Sequence, residues 1–205
     1  MSPDAVPSPE AAGTTERSAL EQVARLTEEV RRLSDRASLG ELIDRYLLTL
    51  DEGVFDEKWA ESLFTEDVEL TFPVGAHRGI SGVTGFTREI MYRWAQTHHH
   101  GSHYVIEQGG DRVEIAWSII ASHVHPGSPP PPGSVSYFQL GGRFDGVARR
   151  TPQGWRFERL GLRITWTTGP VPGDIPPIAP DTFDVPGLHD RNVTHHTDDS
   201  KDIAR

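Results

Sequence analysis

The sequence predicts an α+β domain, and three observations carry that expectation. Apolar residues recur at helical spacing from residue 17 to residue 95. They then alternate at strand spacing from about residue 98 to residue 166. One short alternating stretch, Val68, Leu70 and Phe72, interrupts the helical part and is closed by Pro73. Helices followed by strands, with one early strand between, indicate a curved and mostly antiparallel sheet packed on helices.

Residues 1–16 (MSPDAVPSPEAAGTTE) are acidic and Pro-rich and read as a disordered leader. The leader lacks the basic start and apolar core of a signal peptide. From residue 17 to residue 38 a helical extension is expected, because Leu20, Val23, Leu26, Val30 and Leu33 share one face. Glu21, Arg25, Glu28, Glu29, Arg31 and Arg32 occupy the other. Such a helix packs on its own domain or dimerises. A second helix is expected over residues 39–50, with Leu42, Ile43, Tyr46, Leu47 and Leu50 inward, ended by Asp51, Glu52 and Gly53. A third covers residues 56–64, with Asp56 as its N-cap. A fourth runs over residues 81–95 through Val83, Phe86, Ile90 and Trp94.

Strands are expected at 98–108 and 112–125, joined by a Gly109, Gly110, Asp111 turn, and at 135–149 and 154–166. The Pro-rich segment 126–134 cannot sustain a ladder and reads as an exposed loop. Gly141 and Gly142 fall inside a strand and indicate a bulge. The core domain is placed at residues 39–168. Residues 169–205 form a Pro- and Asp-rich tail.

Composition narrows the function classes. The chain has 205 residues, 36% of them apolar, and a formal net charge of −10. Its mean hydropathy is −0.47. Without a basic cluster beyond Arg31 and Arg32 or Arg149 and Arg150, neither nucleic acid nor an anionic membrane is an expected partner. The absence of cysteine excludes disulfides, thiolate nucleophiles and cysteine-held metals. No apolar run approaches the ~18 residues of a membrane span, so a cytoplasmic location is expected. Phosphate-binding, nucleophile-elbow and dinucleotide motifs are lacking.

The candidate chemistry lies in the imidazoles. Val113, Ile115, Trp117, Ile119 and Ala121 form one strand face, and His123 continues it. His98, His99 and His100 begin the preceding strand, and alternation allows at most two of them to point inward. His98 and His100 share a parity with Tyr104 and Ile106, and His99 with His103 and Val105, so alternation does not choose between them. Asp51 stands at a helix C-terminus, where a carboxylate is electrostatically disfavoured. It is either a solvated turn residue or a group placed to orient an imidazole. Likewise, His123 and Tyr46 are either core residues or pocket groups. Two His and one carboxylate also form a possible metal set, but nothing in the spacing encodes one, and no metal or cofactor is expected. Trp117, Phe72, Phe86, Trp94 and Tyr137 would suit an aromatic or polyketide-like substrate, or serve as core.

The segments LIDRYLLTLDEGVFDEKWAESLFTEDVEL, HRGISGV, THHHGSH, GGDRVEIAWSIIASH and YFQLGGRFDGVARRTPQGWRFERLGLRITWTTG follow one another in an order that resembles a SnoaL-like domain. This polyketide-cyclase and scytalone-dehydratase-like group belongs to the nuclear transport factor 2-like superfamily. The resemblance covers about residues 35–168 and implies a cone-shaped α+β barrel: a bent sheet around three helices, enclosing an apolar pocket. It implies Asp51 as the carboxylate after the first domain helix and His99, counted back from His103, as the catalytic imidazole. His123 matches a second histidine one hairpin on, and Tyr46 a helix tyrosine. Arg163, or Arg159, corresponds to a basic residue on the last strands, and Arg163 is the expected substrate contact of the two. A homodimer or homotrimer is implied too.

The expected function is cofactor-independent acid–base catalysis on a small hydrophobic metabolite, by dehydration, cyclisation or isomerisation. His99 would move the proton, Asp51 would orient it, and His123 and Tyr46 would polarise a carbonyl or protonate a leaving hydroxyl. The alternatives are a non-catalytic binding or assembly module and an epoxide hydrolase, since this fold hosts many functions.

Overall fold

The computed structural model describes residues 9–107, 110–127 and 137–171, with backbone alone for residues 9–16. The leader up to residue 8, most of the Pro-rich segment and the tail beyond residue 171 lie outside the described residues.

Helix α1 spans Pro9–Glu52 without interruption, where the sequence predicts two helices meeting near residue 38. Ser38 and Gly40 are weak helix formers but not breakers. A central glycine costs about 1 kcal/mol, and the buried row Leu39, Leu42, Ile43, Leu47 and Leu50 outweighs it. Gly53 ends the helix at φ 70, and its N–H donates to the Thr49 carbonyl at 3.2 Å. Helix α2, Glu57–Leu63, starts at the expected cap: an Asp56 carboxylate oxygen accepts from the Trp59 N–H at 2.7 Å. Helix α3, Val83–Met91, is shorter than the periodicity suggests, because residues 92–95 form a turn.

Among the described residues, six strands follow this order: β1 Phe64–Phe72, β2 Gly75–Arg78, β3 Gln96–Ile106, β4 Arg112–Val124, β5 Tyr137–Thr151 and β6 Gly154–Thr168. They form a single curved, unclosed sheet in the order β2-β1-β6-β5-β4-β3. The β1–β6 pair is parallel and every other pair is antiparallel. The short β2 strand is absent from the sequence reading, because Gly75–Arg78 is largely exposed and has no alternating pattern. The expected bulge lies between Gly141 and Gly142, where a side chain on Gly142 would strike the Arg163 carbonyl.

The concave face of the sheet, α2, α3 and the second half of α1 share one core built on Leu42, Ile43, Leu63, Val68, Val83, Trp117, Phe157 and Leu160. Gly101 on β3 lets α1 approach the sheet closely. A Cβ there would stand 2.5 Å from Leu47 and 3.4 Å from Trp117. The last turn of α1 is thereby held over the first half of β3.

Candidate functional site

On β3, Thr97, His99 and Gly101 face inward, while His98 and His100 are exposed. The pairing with β4 then slips between Ser102 and Val105, and His103 takes a left-handed conformation at φ 57. This bulge reverses the parity, so that Tyr104 and Ile106 share the inward face with His99. That corrects the expected grouping of Tyr104 and Ile106 with His98 and His100. The slip also removes the ambiguity of the triplet: His99 is the member that faces the interior.

Asp51 ends α1 directly over that face. Its Oδ1 lies 2.6 Å from His99 Nδ1 and accepts from the Thr97 hydroxyl at 2.9 Å. Its Oδ2 accepts from the His99 backbone N–H at 2.9 Å. Burial pushes the Asp51 carboxyl up, but the hydrogen bonds from His99 and Thr97 outweigh it and hold the group below its ordinary value. Asp51 is therefore an ionised carboxylate, and its contacts with Nδ1 leave Nε2 of His99 for other work.

His123 sits opposite Thr97 in the β3–β4 ladder, one step diagonally from His99, which is opposite Ala121. The two imidazoles meet edge-on with centroids 5.4 Å apart. Trp94 lies 4.8 Å and Phe138 5.8 Å from the His123 ring. Burial, followed by the nearby His99, pushes the His123 pKa down to about 4, so the ring is neutral near pH 7. Its Nδ1 is buried without a hydrogen-bond partner among the described residues.

These groups border a cavity of about 110 Å³ lined by Tyr46, Leu50, Phe72, Thr87, Ile90, Met91, Trp94, His99, His123, Phe138 and neighbouring apolar side chains. Among the described residues, none of those lining it is a lysine, arginine, aspartate or glutamate. Tyr46 is buried among Phe64, Phe144 and Phe157, and burial raises its hydroxyl pKa.

Of the residues proposed from sequence to contact substrate, Phe72 and Trp94 line this cavity and the other four do not. Trp117 is sealed in the core, stacked on Phe144 at 4.7 Å. Phe86 stacks behind Phe72, at 6.0 Å, and on His77. Tyr137 is exposed at the start of β5. Arg163 is partly exposed and lies 3.9 Å from Asp145. Thr97 was missed, although it shares the parity of His99. Among the described residues, no group of three or more His, Cys, Asp or Glu could hold a metal ion. None of the described helices is long and apolar enough to cross a membrane.

A bent sheet over helices, with an Asp–His pair beside an apolar cavity, defines a class of cone-shaped α+β domains. The SnoaL-like domain family matches residues 31–161, and the chain belongs to it. No curated protein matches the chain. A candidate scytalone dehydratase from Novosphingobium aromaticivorans is 21% identical, with a TM-score of 0.62, covering 75% of this chain and 97% of its own. The Kfla4162 protein of Kribbella flavida is 24% identical, with a TM-score of 0.60, over 67% and 95%. A hexachlorocyclohexane dehydrochlorinase from Novosphingobium barchaimii is 21% identical, with a TM-score of 0.58, over 73% and 99%. At these identities the likeness establishes the fold.

Proposed function

We propose that the protein is a cofactor-independent acid–base enzyme that eliminates water from a small, uncharged, largely apolar hydroxy compound. Isomerisation or ring closure would use the same groups. The observation that carries this reading is the 2.6 Å contact between Asp51 Oδ1 and His99 Nδ1 at the wall of an apolar cavity. A carboxylate on one imidazole nitrogen holds the tautomer and stabilises the imidazolium formed when the other nitrogen takes a proton.

The protonation states assign the work. Asp51 is held ionised, His123 is held neutral and Tyr46 is held protonated. His99 is thus the group suited to cycle its proton. In the proposed step, Nε2 of His99 removes a proton from a carbon beside a carbonyl. The C–H electron pair becomes the new C=C bond as the C–O bond on the next carbon breaks. The departing oxygen takes the proton back from His99 and leaves as water. Neutral His123 and the Tyr46 hydroxyl supply hydrogen bonds to the carbonyl or the leaving oxygen, rather than a mobile proton.

The uncharged substrate follows from the described lining, in which no lysine, arginine, aspartate or glutamate offsets the cost of burying a substrate charge. Elimination also agrees with the names of two similar structures, a candidate dehydratase and a dehydrochlorinase. The test is a panel of aromatic and alicyclic β-hydroxy ketones, followed by the absorbance of the conjugated double bond. His99→Ala should lower kcat by about 10²–10⁴-fold. Wild-type turnover in His99→Ala would overturn the assignment. Tight binding without turnover by either protein would favour the binding-module reading instead.

A further inference from the structure

The first half of α1 carries an apolar stripe that turns away from its own domain. Leu20, Val23, Leu26, Val30 and Leu33 are 66%, 60%, 58%, 65% and 51% exposed. The opposite, charged face is the one directed at the domain. Glu28, Arg31, Arg32 and Asp35 border a crevice completed by Ile106, Val113 and Trp155. Asp35 accepts from Arg150 at 2.6 Å and from the Trp155 indole at 3.4 Å. The polar face of the extension therefore docks and the apolar face does not, the reverse of a helix covering its own core.

The stripe has a heptad register. Val23, Val30 and Ala37 occupy the a positions, and Ala19, Leu26 and Leu33 the d positions. β-Branched residues at a with leucine at d favour two parallel strands. The flanking positions fit the same arrangement. In a parallel pair, Gln22 would face Thr27, and Glu29 would face Ser34, of the second copy, so no like charges meet. The charges further round the helix are already paired within it, Arg31 with Glu28 at 2.6 Å and Arg32 with Glu29. A stretch of this length is marginal as an isolated helix. Here it grows from the buried half of α1, where Leu39 is 1% exposed, so its nucleation cost has already been met.

We propose that the occupant of this stripe is a second copy of the chain, and that the protein is a homodimer joined by a parallel two-stranded coiled coil over about residues 19–37. Sedimentation of the full chain should show a dimer. Leu26→Asp combined with Val30→Asp should weaken it by about 100-fold or more. Because both side chains are exposed in the single chain, the fluorescence and circular dichroism of the domain should not change. The chain has no cysteine, so Leu26→Cys gives one reporter thiol per chain. It should oxidise to a covalent dimer, and Arg25→Cys, off the seam, should not. A wild-type monomer at a concentration on the order of 100 μM would overturn the proposal, whatever else the stripe then bound. So would a trimer, a dimer indifferent to the double substitution, or a dimer in which Leu26→Cys fails to cross-link.

Discussion

Asp51 and His99 are joined twice, through the ring Nδ1 at 2.6 Å and through the backbone N–H at 2.9 Å. One bond sets the imidazole and the other ties the carboxylate to the strand that carries it. The pair spans the junction between α1 and β3, so neither element can shift without disturbing the catalytic geometry proposed above. A carboxylate at a helix C-terminus opposes the helix dipole. The three donors supplied by β3 account for its tolerance here.

Asp51→Asn keeps the shape and removes the charge. We predict a fall in kcat of about 10²–10⁴-fold, with the fold intact by circular dichroism. Stability should respond as well. The folded carboxyl lies below its ordinary value of 3.8. Its contribution is therefore complete above that value and is lost as pH falls toward the folded pKa. Urea melts at pH 6 and pH 3 should show a steeper acid loss in the wild type than in Asp51→Asn.

His123 gives a second pH signature. Its folded pKa of about 4 lies below the ordinary 6.5. Between those values the unfolded chain holds a proton that the folded one does not. Stability contributed by the neutral ring is thus full above 6.5 and declines as pH falls toward 4, by up to about 1.4 kcal/mol per pH unit. His123→Gln should flatten the stability profile across that window. The His123 ring proton should titrate near pH 4 by NMR, and a midpoint near 6.5 would contradict the buried neutral ring.

The close approach of α1 to β3 is open to direct test. Gly101→Ala places a methyl 2.5 Å from the end of Leu47, a flexible side chain, and 3.4 Å from Trp117. Forced repacking of this kind costs about 1–3 kcal/mol, so a lower Tm is expected. Turnover should fall too, because the same contact positions Asp51 over His99. Gly85→Ala is the contrasting case. It lies inside α3 with nothing within 4 Å of the added methyl, and it should raise stability by about 0.5–1 kcal/mol.

The sheet was legible because alternation runs through most of β4 and in shorter stretches of β5 and β6 between their register shifts, and the helices because their apolar faces repeat. The exceptions share a physical cause: local signals that the tertiary structure overrides. Ser38 and Gly40 resemble a break, but burial of Leu39 and Leu42 carries the helix through. In the site, Asp51 and His123 stood out as polar groups in apolar contexts. The choice among His98, His99 and His100 was hidden by a bulge at His103, since a positive φ is uncommon at any non-glycine residue and no glycine announces it. Trp117 resembled a pocket residue because large aromatics serve cores and cavities alike, and pattern alone does not separate the two uses.

Thr97 separates positioning from chemistry. Its hydroxyl donates to Asp51 Oδ1, the same oxygen that faces His99 Nδ1, and it is not among the side chains lining the cavity. Thr97→Val removes that donor at nearly constant volume. The Asp51 carboxylate then loses one hydrogen bond that favours its charged form, so its pKa should rise toward the ordinary value. Turnover should fall by about 10-fold, the worth of one hydrogen bond to a charged group, while KM stays near the wild-type value. The acidic limb of the kcat–pH profile should move upward with the more basic carboxylate. Thr97→Ser, which retains the hydroxyl, should restore both rate and profile. A Thr97→Val profile identical to the wild type would show that the threonine serves packing alone.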